Sequence, residues 1–398
     1  AVFSAKTPTM DGLAAIKNRW RTVRAHGTAV GLPSDDDMGN SEVGHNALGA
    51  GQVINQGAAL VDKALEDGSL FTSEGWNHVA SNLNSGGALH LIGLLSDGGV
   101  HSRTDQLFGI IRGAVERGTK KLRVHILTDG RDVPDGSSLR FINELEDVLK
   151  EVSASCDAKI ASGGGRMGVT MDRYEADWNI VKRGWDAHVL GEAGDNKFTD
   201  AHTAVKTLRK DDSDSPVSDQ WLEPFVIVDE AGAPVGTVQD GDSVVIFNFR
   251  ADRVIELSKA FEYTEFSHFD RVRCPNVKFA GIMQYDGDLK LPANYLVPPP
   301  AISGTSGEYL AKNGLKTFVC SETQKFGTDC EVARARVAGA RVARARAHSL
   351  ARPPTPPRRA QVTSPSSGTA TAPGTLIATS RPIWRSRRTT ARSTRSRT

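Results

Sequence analysis

Five segments of this 398-residue chain concentrate side chains that hold anions or move protons. In Met38-Gly39-Asn40-Ser41-Glu42-Val43-Gly44-His45, a serine followed by an acid suits the first turn of a helix, with Ser41 at or near the N-cap. Free backbone N–H groups and the positive dipole end favour an anion there, beside the hydroxyl. A serine placed so suits phosphoryl transfer, although an alcohol needs a base or a metal to become a nucleophile near neutrality. The same spacing also fits a plain N-cap.

The other four segments each follow an apolar run: Ser96-Asp97-Gly98-Gly99-Val100-His101, Thr128-Asp129-Gly130-Arg131-Asp132, Ser162-Gly163-Gly164-Gly165-Arg166 and Asn248-Phe249-Arg250-Ala251-Asp252-Arg253. Taken singly they are weak signals. Arg250 and Arg253 fit a solvated helical face, Asp129-Gly130 a turn, and His101 a hydrogen-bonded loop residue.

The runs before them are strand candidates: Leu89–Ser96, Leu122–Thr128, Lys159–Ser162, Ser243–Phe249 and, later, Val277–Met283. Several are nearly continuous apolar stretches, as in a strand buried on both faces of a parallel sheet. Leu107, Ile110, Ile111, Ala114 and Val115 recur at helical spacing between two of them, as do Leu139, Ile142, Leu145, Val148 and Leu149 further on. The order predicts an α/β fold, whose active groups gather at the carboxyl edge of the sheet. A His, several Asp and several Arg are therefore expected on one rim.

At this point the motifs carry more than their spacing. Val30-Gly31-Leu32-Pro33, the Met38–His45 segment, Leu48-Gly49-Ala50-Gly51, Ser96–Ser102, Asp129–Pro134, Phe247–Arg253 and Ser321-Glu322-Thr323-Gln324-Lys325-Phe326-Gly327 occur in the order in which the cofactor-independent phosphoglycerate mutases have them. Over residues 1–327 the chain resembles that family. The resemblance implies an alkaline-phosphatase-like metal-binding domain carrying an inserted α/β transferase domain. It also implies an isomerase of glycolysis and gluconeogenesis in the cytoplasm, interconverting 3-phosphoglycerate and 2-phosphoglycerate with two manganese ions and a phosphoserine intermediate.

By motif match, Ser41 takes the phosphoryl group and ligates a metal. Phosphoglycerate is a small polyanion, and the planar fork of arginine pairs bidentately with either of its acid groups. Arg166, Arg173, Arg250 and Arg253 match its holders, with Arg131 and Asp132 at the second strand end. Asp132 is suited to accept from a glycerate hydroxyl. His101 matches a substrate-contacting histidine, and Lys325 a lysine that neutralises phosphoryl charge. The implied domains are 1–55, the first part of the phosphatase-like domain; 56–299, the inserted domain, ended by Pro298-Pro299-Pro300; and 300–330, the return into the first.

Departures from the family set a second expectation. Of its metal ligands only Ser41 has a counterpart, and the chain is expected to be a piece of a longer one, incomplete for turnover. A non-catalytic module that binds phosphoglycerate is the alternative. Residues 331–398 hold 15 arginines and one acid, a net +14, so residues 1–330 carry −12 of the overall +2. That Arg-rich segment lacks any durable apolar stripe and is expected to be disordered, either a frame-shifted sequence or an electrostatic anchor for nucleic acid.

Other classes fit less well. Gly163-Gly164-Gly165-Arg166-Met167-Gly168 satisfies G-x-G-x-x-G after a strand and before an expected helix, with Glu192 at an expected later strand end, so an NAD(P)-dependent oxidoreductase is a remote rival. Cys156, Cys274, Cys320 and Cys330 lie too far apart for a thiolate zinc motif and fit a reducing compartment. No apolar run approaches the roughly 20 residues of a membrane helix, and a monomer is expected.

Overall fold

The computed structural model describes residues 4–210 and 213–317, and the five apolar runs become five consecutive neighbours of one sheet. Its strands are β1 (Leu89–Leu95), β2 (Lys121–Thr128), β3 (Asp157–Gly165), β4 (Lys197–Phe198), β5 (Phe225–Ile227), β6 (Ser243–Ile246) and β7 (Lys278–Gly281), in the order β4-β5-β3-β2-β1-β6-β7. Neighbours from β3 to β7 pair in parallel, whereas β5 runs antiparallel to β3. Every residue of β1 is buried, because helices cover both faces.

Before the sheet come α1 (Pro8–Ala14), α2 (Ser41–Ala50), α3 (Gly57–Glu66) and α4 (Glu74–Leu83). Within and after it come α5 (Thr104–Glu116), α6 (Ser138–Val152), α7 (Trp178–Trp185), α8 (Ala201–Arg209), α9 (Ile255–Glu262) and α10 (Ser306–Lys312). The apolar faces expected between β1 and β3 are those of α5 and α6, which pack on each other and bury Leu107, Ile110, Leu145 and Leu149. On α7, α9 and β7, Phe261 stacks on Phe279 and meets Trp185 at a tilt. Among the described residues no helix is long and apolar enough to cross a membrane.

Two differences from the expected strands have plain causes. β6 stops at Ile246 instead of Phe249 because the buried Asn248 takes over the ladder: its Oδ1 accepts the Leu94 N–H at 2.9 Å. Strands β4 and β5 went unseen because two and three residues are too few for a period to register.

The strand order reverses between β1 and β6, since β2 and β3 extend to one side of β1, and β6 and β7 to the other. A crevice therefore opens beyond the carboxyl ends of these two strands, the usual ligand position in such sheets. Backbone bonds tie its walls together, with Phe249 N–H donating to His101 O at 2.9 Å.

Along β1, β2 and β3 runs a buried line of polar side chains. His90 Nε2 meets Asp242 Oδ2 at 3.1 Å, and His90 Nδ1 meets His125 Nε2 at 2.9 Å. His125 Nδ1 and His188 Nδ1 both meet Ser162 Oγ at 2.7 Å, and His188 Nε2 meets Thr170 Oγ1 at 2.9 Å. Only an acceptor stands at Asp242, so His90 donates to it and accepts from His125. Ser162 then donates to His125 and accepts from His188, which accepts from Thr170. All three histidines are satisfied as neutral imidazoles, each in one tautomer.

Candidate functional site

The four expected segments do meet on one rim. His101 follows β1, Asp129 and Asp132 follow β2, Arg166 follows β3, and Arg250, Asp252 and Arg253 follow β6. Arg166 Nη1 donates to Asp129 Oδ1 at 2.8 Å and also bonds Asp132 Oδ2. Asp129, fully buried, further accepts from Ser96 Oγ at 2.7 Å and from the amides of Arg131 and Asp132 at 3.1 and 3.2 Å. His101 stands between the acids, Nε2 3.8 Å from Asp132 Oδ2 and Nδ1 3.6 Å from Asp252 Oδ1. Asp252 pairs with Arg173 and lies 3.3 Å from Arg250 Nε, and Arg253 Nη1 donates to Met171 O at 2.7 Å.

The cluster carries an excess of positive charge that it does not neutralise. Burial, and then the charges of Arg173 and Arg166, depress the Arg253 guanidinium to about 10. Burial and the surrounding arginines, Arg166 first, hold His101 well below the ordinary imidazole range, so it is neutral near pH 7. The Nε atoms of Arg166, Arg173, Arg250 and Arg253 and the Nδ1 of His101 are buried without a hydrogen-bond partner. Such orphaned groups are rare unless a ligand or an ordered water completes them. Arg131 is exposed and reaches the cluster through charge alone, adding to the repulsion felt by Arg253.

Ser41 stands one residue from this network. The N-cap of α2 is Asn40 and not Ser41: the Asn40 side chain accepts from the amides of Glu42 and Val43, which leaves Ser41 as the first helical residue. Its Oγ lies 3.4 Å from His45 Nδ1, and that nitrogen meets Ser41 O at 2.6 Å, so the hydroxyl stays against its own helix. The link to the rim is Glu42, 3.4 Å from Arg250 Nε. A cavity of about 130 Å³ separates α2 from the strand ends, lined by Asn40, Glu42, Val100, Phe249 and Arg250. Lys325 and residues 331–398 lie outside the described residues.

Sequence reasoning named Asp129 and Asp252 only as rim residues, yet they hold the arginines in place. Their signal was position alone, one at each of two strand ends.

The glycine run is not a dinucleotide loop. Gly163, Gly164 and Gly165 lie inside β3, the next helix begins only at Trp178, and Glu192 follows a helical turn, not a strand. A Cβ on Gly163 would lie 2.5 Å from Phe225 Cζ and 2.7 Å from the Ile126 carbonyl, so these glycines admit neighbouring chain. Gly163→Ala should accordingly cost about 1–3 kcal/mol by overpacking, read by urea unfolding. A loss below about 0.5 kcal/mol would mean that β5 simply shifts aside.

Residues 61–287 match the family described as BPG-independent PGAM N-terminus. The chain belongs to this family. It is 63% identical over 328 residues to the 2,3-bisphosphoglycerate-independent phosphoglycerate mutase of Zea mays, covering 82% of this chain and 58% of that protein. The Trypanosoma brucei brucei protein of the same name is 58% identical over 329 residues, covering 82% of this chain and 59% of its own length. The crystal structure of Leishmania mexicana phosphoglycerate mutase at low cobalt concentration superposes with a TM-score of 0.77 at 56% identity, covering 85% of this chain and 61% of that one. This member of the BPG-independent family thus spans less than two thirds of the relatives it matches. The sheet and these likenesses bear out the expected class, an alkaline-phosphatase-like fold with an α/β transferase insert.

Proposed function

We infer that the chain carries the substrate-holding part of a 2,3-bisphosphoglycerate-independent phosphoglycerate mutase, an isomerase acting on 3- and 2-phosphoglycerate in cytoplasmic glycolysis. The observation that carries this reading is the cluster of four arginines whose buried Nε atoms make no hydrogen bond, that of Arg250 having only the nearby charges of Glu42 and Asp252, beside a neutral His101. A ligand with a carboxylate and a phosphate supplies the acceptors these donors lack. Arg166 and Arg173 hold it from one side, and Arg250 and Arg253 from the other. Arg131 adds charge at the mouth, while Asp132 accepts from a glycerate hydroxyl. Ser41 is the phosphoryl acceptor, and Lys325 neutralises the charge that the transfer moves.

The family role also implies two manganese ions. Among the described residues no three histidines, cysteines or carboxylates gather as a metal set, and Ser41 has only His45 beside it. These residues alone do not fit such a pair, so the chain is assigned binding and orientation but not turnover. The division into 1–55 with 300–330, and 56–299, is part of this reading. It is supported by a small core of Val30, Leu32 and Val43 apart from the main one, and by Gln52 Nε2 donating to Ser303 O at 3.4 Å.

Calorimetry with 3-phosphoglycerate tests the reading. The chain should bind, and Arg250→Ala should weaken binding about 10- to 100-fold, the worth of one charge-assisted contact. No heat at millimolar ligand would sink it. Appreciable turnover on adding manganese would overturn the assignment of binding alone.

A further inference from the structure

The loop Met171–Glu175, which carries Arg173, is fastened to α9 and the short turn before it. Asp252 pairs with Arg173, and Arg253 donates to Met171 O. Further along, Glu256 Oε1 accepts the Glu175 N–H at 2.9 Å, and Lys259 Nζ pairs with Glu175 Oε1 at 2.5 Å. Glu256 and Lys259, three apart, share a face of α9, and Asp252 lies in the short turn before it.

The loop needs that support. Tyr174 and Glu175 have φ of 65° and 57°, and Thr170 has 66°. Non-glycine residues hold such angles only where their surroundings over-determine them. Tyr174 is 52% exposed, so packing does little to fix its backbone. Arg173 is also the most exposed of the four clustered arginines, and without its anchors it would swing away from the crevice.

We propose that Glu256 and Lys259 are positioning residues that hold the left-handed Tyr174–Glu175 turn, and so aim Arg173 at the anionic ligand of the rim. The proposal rests on the phosphoglycerate reading of the site. Glu256 is 4% exposed, and burial, then the neighbouring Asp172 carboxylate, push it up to about 8. Near pH 7 it accepts the Glu175 amide as a neutral acid, adding no charge beside Asp172 and Glu175.

The test compares the full chain with Glu256→Ala, Glu256→Gln and Lys259→Met. The readouts are hydrogen exchange at the Glu175 amide and calorimetric affinity for 3-phosphoglycerate. Glu256→Ala should speed exchange at Glu175 by about tenfold or more, with the sheet amides unchanged. It should weaken binding by roughly threefold to tenfold, because Arg173 is no longer pre-oriented. Glu256→Gln, which keeps a carbonyl acceptor, should restore both, and Lys259→Met should give a smaller loss of each.

Uniform loosening of the whole chain by Glu256→Ala, or faster exchange with unchanged affinity, would overturn the proposal. If Glu256→Ala fails to fold, Lys259→Met decides on the same two readouts. Absence of binding by the unsubstituted chain would instead sink the reading of the site itself, so the two failures are distinguishable.

Discussion

Asp129→Ala should lower the unfolding free energy by about 3 kcal/mol, since it removes one of the two carboxylates that hold a buried guanidinium and leaves three further donors without their acceptor. Burial opposes the Arg166 charge, yet Asp129 and Asp132 together hold its guanidinium above the ordinary value. Without Asp129 that cation, 1% exposed, keeps only Asp132, while Ser96 and two amides lose their acceptor. For a domain of this size the melting temperature should fall by on the order of 10 °C. Circular dichroism on heating gives the answer. A drop of no more than about 2 °C would mean that Asp132 alone neutralises Arg166.

The second large effect is on acid stability. Burial, and then the repulsion between these imidazoles were they charged, hold His125 well below the ordinary imidazole value and take His188 down from 6.5 to about 3. Burial lowers His90 too, although Asp242 pulls the other way. Below pH 6.5 the unfolded chain therefore binds protons that the native state refuses. Stability is full above that pH and is lost progressively as pH falls toward the native values. For His188 alone the loss at pH 5 is about 2 kcal/mol, and His125 and His90 add to it in the same direction.

Glu256 acts in the opposite direction. Its native value of about 8 against 4.5 means that its contribution is full below pH 4.5 and disappears as pH rises through 8. Urea unfolding of Glu256→Gln at pH 7.5 and 5.0 therefore removes this opposing contribution and leaves that of the buried histidines, His101 included. Equal stability at the two pH values would show that the buried line accepts protons after all.

The sequence was informative where a pattern is local. Apolar runs marked β1, β2, β3, β6 and β7 within a few residues, and the motifs at their ends named the arginines that meet on the rim. Asn40 and Ser41 are both N-cap types, and only the reach of the Asn40 side chain to two amides decides between them. The histidine line had no local signal whatever. His90, His125 and His188 lie on three separate elements, the first two inside strands, and pair only once the sheet brings them into line. Glu256 was equally silent, because one acid in a short amphipathic helix looks like any solvated residue.

The margins of the sheet bear on how this molecule behaves in a crowd. On one side the outermost strand is the two-residue β4; on the other, Leu296 N–H donates to Gly281 O at 3.0 Å, beginning to cover the end of β7. Among the described residues, neither flank offers a long row of bare peptide groups for a second copy to zip onto. Edge-to-edge pairing of two folded copies through these strands is thereby disfavoured.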